Sequence, residues 1–487
     1  MKIKHTGVAL AALTCLLTIT NAQADASATS SAVDKETLLR IRDAAMGSDY
    51  AYQRLSELTD LVGPRLSGSI GAAAAVRMVS DDMNKIGMQV TLQPVKVPHW
   101  VRGAETAELV DYKGRPEGIT QKLVLTALGG SSSTPAEGLT APVLLVHDMD
   151  ELMAKKDQAK GAIVVFDVPF DEQLAQAGRA GNAYGEAGMY RFVGPATASK
   201  LGAAAALVRS VGGADYRLTH TGMTGWGKDA TPIPAGALTA EDAMLIDRLA
   251  AKGPVKMHLT LTPQTLPDAD SHNVLADIPG SDKGDDVVLI SGHLDSWDLA
   301  QGATDDGSGV SVAMGVAEVF KRLGLKPRRT VRMVAWMNEE NGSRGQKAYL
   351  DAVKDKLSHQ FAAIETDAGV THPIGIMTSV VHDDVKSFDT LKAALRTMGA
   401  PVIDRHERLG TGDLGMIEEA GGVPCFEPLL DVRTYFNYHH TPADTLDKID
   451  PLEMKKQVAV LAMLTWYLAN MPEDLKRLPS GGKAFDD

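Results

Sequence analysis

Residues 287–309 read VVLISGHLDSWDLAQGATDDGSG, an apolar run followed by a loop that carries one histidine and four aspartates. Val287, Val288, Leu289 and Ile290 have the length and unbroken apolarity of a strand buried on both faces. After the loop, residues 307–323 read as a helix with Val310, Ala313, Ala317 and Phe320 on one side. Strand candidates recur at 331–336 and 361–364 with helical segments between them, which predicts an α/β sheet with helices on both faces. Charged groups come directly after each run: His293 and Asp295 after the first, Glu339 and Glu340 after the second, Asp367 after the third. Open α/β sheets bind ligands in the crevice at the carboxyl ends of their strands, so these sequence-distant groups are expected to converge.

Outward from this stretch, a chain of 487 residues with 44% hydrophobic content suits a globular, multi-domain protein. Its formal charge of -13 argues against a nucleic-acid partner or an anionic membrane surface, because phosphate binding needs an excess of Lys and Arg. Lys2 and Lys4, an apolar run from Val8 to Leu17 and the small-x-small site Ala22-Gln23-Ala24 make residues 1–24 a secretory signal, predicting export to the periplasm or outside the cell. No run reaches the roughly 20 apolar residues of a membrane span, and no membrane anchor is expected. Of Cys15 and Cys425 only the second survives cleavage, so no internal disulfide and no cysteine metal site can form. Any metal must be held by His, Asp and Glu. Residues 25–124 form the first part of the main domain, beginning with helical spacings up to the breaker Gly63-Pro64 and a further helix to about Met83. From 125 to 266 the texture turns rich in Ala and Gly, with strands at 142–146 and 162–166 and a small-residue helix near 196–206. This stretch reads as an inserted domain, and its His147, His220 and His258, which have no neighbours at ligand spacing, read as ordinary residues. The chemistry-bearing part is 267–474, with a tail at 475–487.

Singly, the motifs say little. In a chain with 13 His and 62 acids, a His-x-acid pair such as His293-x-Asp295 arises about twice by chance. The glycine-rich turn 302–309 lacks the Lys of a phosphate cradle and puts Asp305 and Asp306 where phosphate oxygens would lie. Together they divide the tasks of a two-metal site. A pair of dications without sulfur ligands takes imidazole and carboxylate and needs a bridging carboxylate, for which the Gly-flanked Asp305 is suited. Asp295 can fix the tautomer of His293, and Glu339, beside Glu340, can accept a proton from an activated water.

The motifs SGHLDSWD (291–298), GATDDG (302–307), NEENG (338–342), ETDAG (365–369) and YHHTPADT (438–445) resemble, in order and spacing, the carboxypeptidase Q branch of co-catalytic zinc exopeptidases, related to bacterial zinc aminopeptidases. The segment Leu58 to Ser69 and Gly421-Gly422-Val423-Pro424 are also similar. The resemblance implies the zinc exopeptidase fold, a mixed central sheet with helices on both faces, with 125–266 as an inserted protease-associated α/β domain. It implies two zinc ions, one held by His293, Asp305 and Asp367, the other by Asp305, Glu340 and His440. His440 is chosen over His439 because the family ligand directly precedes the Thr of the turn. Glu339 is then the general base and Asp295 the residue that orients His293. The implied activity is hydrolysis of short unblocked peptides by a dipeptidase or carboxypeptidase. The alternatives are a zinc aminopeptidase and, from another class, a non-catalytic receptor or binding module. A homodimer is implied by the resemblance alone. No substrate-binding residue emerges from the motifs, although Tyr435, Arg433 and Asp413 lie near them.

Overall fold

A computed structural model describes residues 33–213, 216–410 and 412–479. The expected signal segment 1–24 lies outside the described residues. Among them the strands form two eight-stranded sheets. The first runs, edge to edge, Gln89–Val101, Gln264–Ile278, Arg329–Trp336, Lys283–His293, Gln360–Glu365, Cys425–Leu430, Pro373–Thr378 and Val402–Arg405. It is mixed: Lys283–His293 pairs in parallel with both of its neighbours, whereas Gln264–Ile278 pairs antiparallel on both sides.

The apolar run at 287–290 sits at the middle of this sheet and alternates as a strand must. Val288 and Ile290 join one core with the helices Lys35–Met46, Ser308–Arg322 and Pro451–Asn470, through Ile41, Val316 and Leu461. Leu289 joins the opposite core with Trp336 and with Tyr349 of the helix Arg344–Val353. Burial on both faces explains why the sequence showed no polar alternation there. The helix Pro451–Asn470 starts sharply, with Pro451 in its first turn and Asp450 accepting from the N–H groups of Leu452 and Glu453. It is buried along most of its length, from Met454 to Ala469, so the apolar residues all round it are satisfied by packing.

The second sheet runs Gln121–Leu123, Glu105–Tyr112, Val255–Leu261, Leu139–Val146, Ile163–Phe166, Ala205–Arg209, Ala235–Leu238 and Leu125–Ala127. The strands of this second unit are not confined to the expected insertion: Glu105–Tyr112 and Gln121–Leu123 lie before residue 125, and Glu105–Tyr112 pairs antiparallel with Val255–Leu261. The expected helix at 196–206 also divides: a helix spans Ala180–Lys200 and a strand Ala205–Arg209, joined across Gly202 at φ +80°. Alanine suits both environments, so its abundance concealed the change. In the expected tail, Leu475 and Leu478 are buried, and the Leu478 N–H donates to the Gly422 carbonyl at 2.9 Å.

The mixed sheet does one thing for function. Lys283–His293, Arg329–Trp336 and Gln360–Glu365 are parallel and in register, His293 opposite Trp336 and Ser291 opposite Glu365, so their carboxyl ends share one edge.

Candidate metal centre

His293 is the last residue of its strand, and Glu339, Glu340 and Asp367 come after theirs within four residues. The fourth segment, the turn at 302–307, must be brought back over the sheet edge, and two buried residues do this. Arg65 is fully buried and donates to the carbonyls of Gly63, Leu294, Gln301 and Gly302 at 2.5 to 3.0 Å. Asp444 accepts from the N–H groups of Thr304 (2.6 Å) and Asp305 (3.2 Å) and from the Thr304 hydroxyl. At Gly302, φ is +60° and an added Cβ would lie 2.4 Å from that of Ser296, so no other residue fits without displacement. Asp306, joined to Asp305 by a cis peptide, accepts from the His293 and Gly309 N–H groups and secures the turn to the strand.

The result is a carboxylate placed between two imidazoles. Asp305 Oδ1 is 3.0 Å from His293 Nε2, and its Oδ2 is 3.1 Å from His440 Nε2. Asp367 Oδ1 lies 3.5 Å from His293 Nε2, and Glu340 Oε2 lies 3.0 Å from His440 Nε2. Two ligand atoms about 2.0–2.1 Å from a tetrahedral zinc stand roughly 3.3 Å apart, which is the scale of these separations. Asp367 Oδ1 is shielded from solvent and accepts no hydrogen bond, a costly state for a carboxylate oxygen unless a cation faces it. The donor set, imidazole and carboxylate without sulfur, therefore fits divalent metal such as zinc.

His440 rather than His439 faces both Asp305 and Glu340. His439 stacks on it at 3.7 Å between ring centres, and its own Nε2 is 3.5 Å from Asp305 Oδ2. The role expected for Asp295 changes. The partner of His293 Nδ1 is the backbone carbonyl of Asp295, at 2.9 Å, whereas the carboxylate is 4.0 Å away. That carboxylate instead accepts from the N–H groups of Asn338 (2.7 Å) and Glu339 (3.0 Å), so it holds the loop bearing Glu339. A carbonyl fixes an imidazole tautomer as well as a carboxylate does.

Burial dominates the electrostatics. It pushes Glu339 up to about 7 and, with Asp305 nearby, Glu340 up to about 8. Asp367 is raised by the same cause. Burial works against ionisation of Asp305 too, but His439, His293 and His440 together hold it well below the usual carboxylate range. Of the residues near the motifs, Tyr435 lies beside the site against Gly369, while Arg433 is exposed and paired with Asp431. Asp413 is buried, accepting from Gln346, and its N–H donates to Glu365.

His220, read as ordinary from the sequence, is buried against the site. Its Nε2 is 3.2 Å from His439 Nδ1. The next residue, Thr221, exchanges backbone contacts with His440: Thr221 N–H donates to the His440 carbonyl at 2.9 Å, and His440 Nδ1 lies 3.2 Å from the Thr221 carbonyl. The second unit thus supplies the partner that fixes His440. Arg65, Asp444 and His220 were missed because each acts through a fold contact, across 140 to 237 residues of chain, with no local spacing to mark it.

Comparison with known proteins places this geometry. Residues 273–465, which contain all five candidate ligands, match the model of peptidase family M28. Carboxypeptidase Q of Homo sapiens is 36% identical over 429 residues, covering 88% of this chain and 87% of the relative. The crystal structure of a peptidase M28 precursor from Shewanella amazonensis SB2B superposes with a TM-score of 0.85 at 34% identity, over 91% of this chain and 98% of that one. A zinc aminopeptidase from Bacillus subtilis shares the fold, with a TM-score of 0.60 at 19% identity over 88% of this chain and 98% of that one. Similarity of this extent runs through both units rather than the metal-centre motifs alone, and by it the chain belongs to peptidase family M28, among the carboxypeptidase Q-like metallo-exopeptidases.

Proposed function

We propose that this protein binds two zinc ions and hydrolyses short unblocked peptides at a chain end, as a dipeptidase or carboxypeptidase. The observation that carries the reading is Asp305, whose two carboxylate oxygens lie 3.0 and 3.1 Å from His293 and His440, so that one side chain serves both halves of the site. His293, Asp305 and Asp367 would hold one ion, and Asp305, Glu340 and His440 the other. Zinc held by these residues would supply Lewis acidity towards the scissile carbonyl and towards water at neutral pH.

The protein's own groups do the rest. Burial raises the proton affinity of Glu339 to about 7, matched to taking and giving a proton near neutrality. It takes the proton from the attacking water and returns it to the leaving amine nitrogen. Asp295 keeps Glu339 in place through the two loop N–H groups it accepts from. The carbonyls of Asp295 and Thr221 orient His293 and His440.

Export through residues 1–24, a homodimer and assignment of the second unit as a protease-associated insertion belong to the same reading. The first rests on the signal pattern and the others on the family resemblance. No helix among the described residues is long and apolar enough to cross a membrane.

The test is mass-spectrometric product analysis of zinc-loaded protein with an unblocked dipeptide and an asymmetric tetrapeptide, with and without chelator. Chelator-sensitive hydrolysis is expected, with products that show the end attacked. An aminopeptidase would release the N-terminal residue of the tetrapeptide. Absence of hydrolysis with both ions bound would overturn the reading.

A further inference from the structure

A cavity of about 310 Å³ opens beside Asp367, where the two units meet. The catalytic unit supplies its apolar wall, with Met377, Pro428, Leu429, Leu430 and Tyr435. The second unit supplies Gly178, Arg179, Gly181 and Asn182, from a segment anchored by a small core shared with the catalytic unit: Ala175, Ala180 and Ala183 pack against Phe170, Leu174, Val432 and Phe436. The chain turns sharply there, with Gly178 at φ +87°, and a Cβ at Gly178 or Gly181 would meet nothing within 4 Å. The space is therefore open on the side of the second unit and closed on the side of the sheet. Its size is at the lower end of small-molecule sites, about 300–1,000 Å³, and suits one or two residues of a peptide rather than a long chain.

The charges on its lining decide which end of a peptide it fits. Asp367 faces His293 and the metal position. Asp404 lies 3.3 Å from His406 Nε2 and so already has a partner within reach. Arg179 is exposed and makes no ion pair or hydrogen bond among the described residues. A free guanidinium at the mouth of an apolar recess binds a carboxylate through two parallel N–H donors, which a terminal ammonium cannot use.

We infer that this cavity receives the C-terminal residue of the substrate, with its side chain on the Met377–Leu430 wall and its free α-carboxylate on Arg179. The ligand class is a short peptide ending in an apolar residue with an unblocked carboxylate. The scissile carbonyl then lies at the Asp367 end of the cavity, and the product released from it is a free amino acid. This inference rests on the proposed exopeptidase reading and supplies its end specificity.

The experiment compares Ala-Leu with Ala-Leu-amide on zinc-loaded wild type, Arg179→Gln and Arg179→Lys, with zinc content measured for each. Wild type is expected to favour the acid by at least tenfold in kcat/KM, chiefly through KM. In Arg179→Gln the ratio should fall towards one, and Arg179→Lys should keep part of it. Equal hydrolysis of acid and amide by wild type, or an undiminished preference in Arg179→Gln, overturns the inference while leaving chelator-sensitive peptidase activity intact. If Asp404 instead held a terminal ammonium, Asp404→Asn would abolish the preference for unblocked over N-acetylated peptide, and that result also overturns it. Should neither peptide be cleaved, the proposed activity fails separately. Calorimetric titration of Ala-Leu and Ala-Leu-amide in the Glu339→Gln background then decides the carboxylate subsite by itself, with at least tenfold weaker acid binding expected once Arg179→Gln is added.

Discussion

Glu339 and Glu340 are adjacent in sequence yet sit differently: Glu340 lies 3.0 Å from His440 Nε2, whereas Glu339 is held by its N–H on Asp295 and is the proposed proton acceptor. Replacing Glu339 by Gln keeps the shape and removes the base, so turnover is expected to fall about 10²–10⁴-fold with zinc content unchanged in elemental analysis. Unchanged turnover would remove Glu339 from the mechanism. A second prediction concerns pH. In the metal-free protein burial keeps protons on Glu339 up to about 7 and on Glu340 up to about 8. His293 is raised well above its usual range as well, Asp367 and Asp305 outweighing burial, as is His440, where Glu340 does so. Zinc must displace the protons on its candidate ligands Glu340, His293 and His440, so its affinity should rise with pH between 6 and 8, by about tenfold per unit for each proton displaced. Asp305 is already ionised and contributes none of that slope. Chelator competition at pH 6, 7 and 8 measures it, and a flat profile contradicts the picture. The residue types and order of the site were legible from the sequence. The exchange of tasks within Asp295, carbonyl to His293 and carboxylate to the Glu339 loop, was not, because it depends on a difference of 1.1 Å between 2.9 and 4.0 Å.

At the scale of the element, the loop between His293 and Ser308 is the part most dependent on outside support. Apart from one π-helical turn at Ala303–Gly307 it hangs on Arg65, whose guanidinium gathers carbonyls from its start, at Leu294, and its middle, at Gln301 and Gly302. Arg65→Met would leave those buried carbonyls without donors, each costing about 1–3 kcal/mol. The variant is expected to melt at lower temperature and to bind zinc less tightly, by thermal denaturation and elemental analysis, even though Arg65 touches neither candidate ion. A variant as stable as wild type would show that water replaces the guanidinium. Strand and helix positions in the mixed sheet were readable because burial on both faces leaves long apolar runs. The helix to strand change at 200–205 was not readable, because small residues satisfy both and the deciding term is the pairing of Ala205–Arg209 beside Ile163–Phe166 within one core.

For the whole molecule the decisive feature is that two sheets meet over one metal centre. The His220–His439 contact spans 219 residues, and neither histidine carries a local mark of it. His220→Ala removes that partner and leaves a void between the units. His220 reaches the candidate ligand His440 only through His439, which stacks on it, and through its neighbour Thr221, so the ion proposed on His440 should be held more weakly while the one on His293 is retained. Competition with a graded series of chelators separates the two, and equal retention of both would assign His220 to packing alone. By itself the sequence determined the fold class, the order of the site and the candidate ligands, because acids and histidines recur just past each apolar run and the sheet edge gathers the ends of those strands together. It marked residues 125–266 by texture. Only the tertiary structure showed that Glu105–Tyr112 pairs into the second sheet, that this unit reaches the candidate metal centre through His220 and Thr221, and that it completes a cavity with Arg179. Those are contacts between surfaces, set by how two folded units pack, and no periodicity or spacing along the chain encodes them.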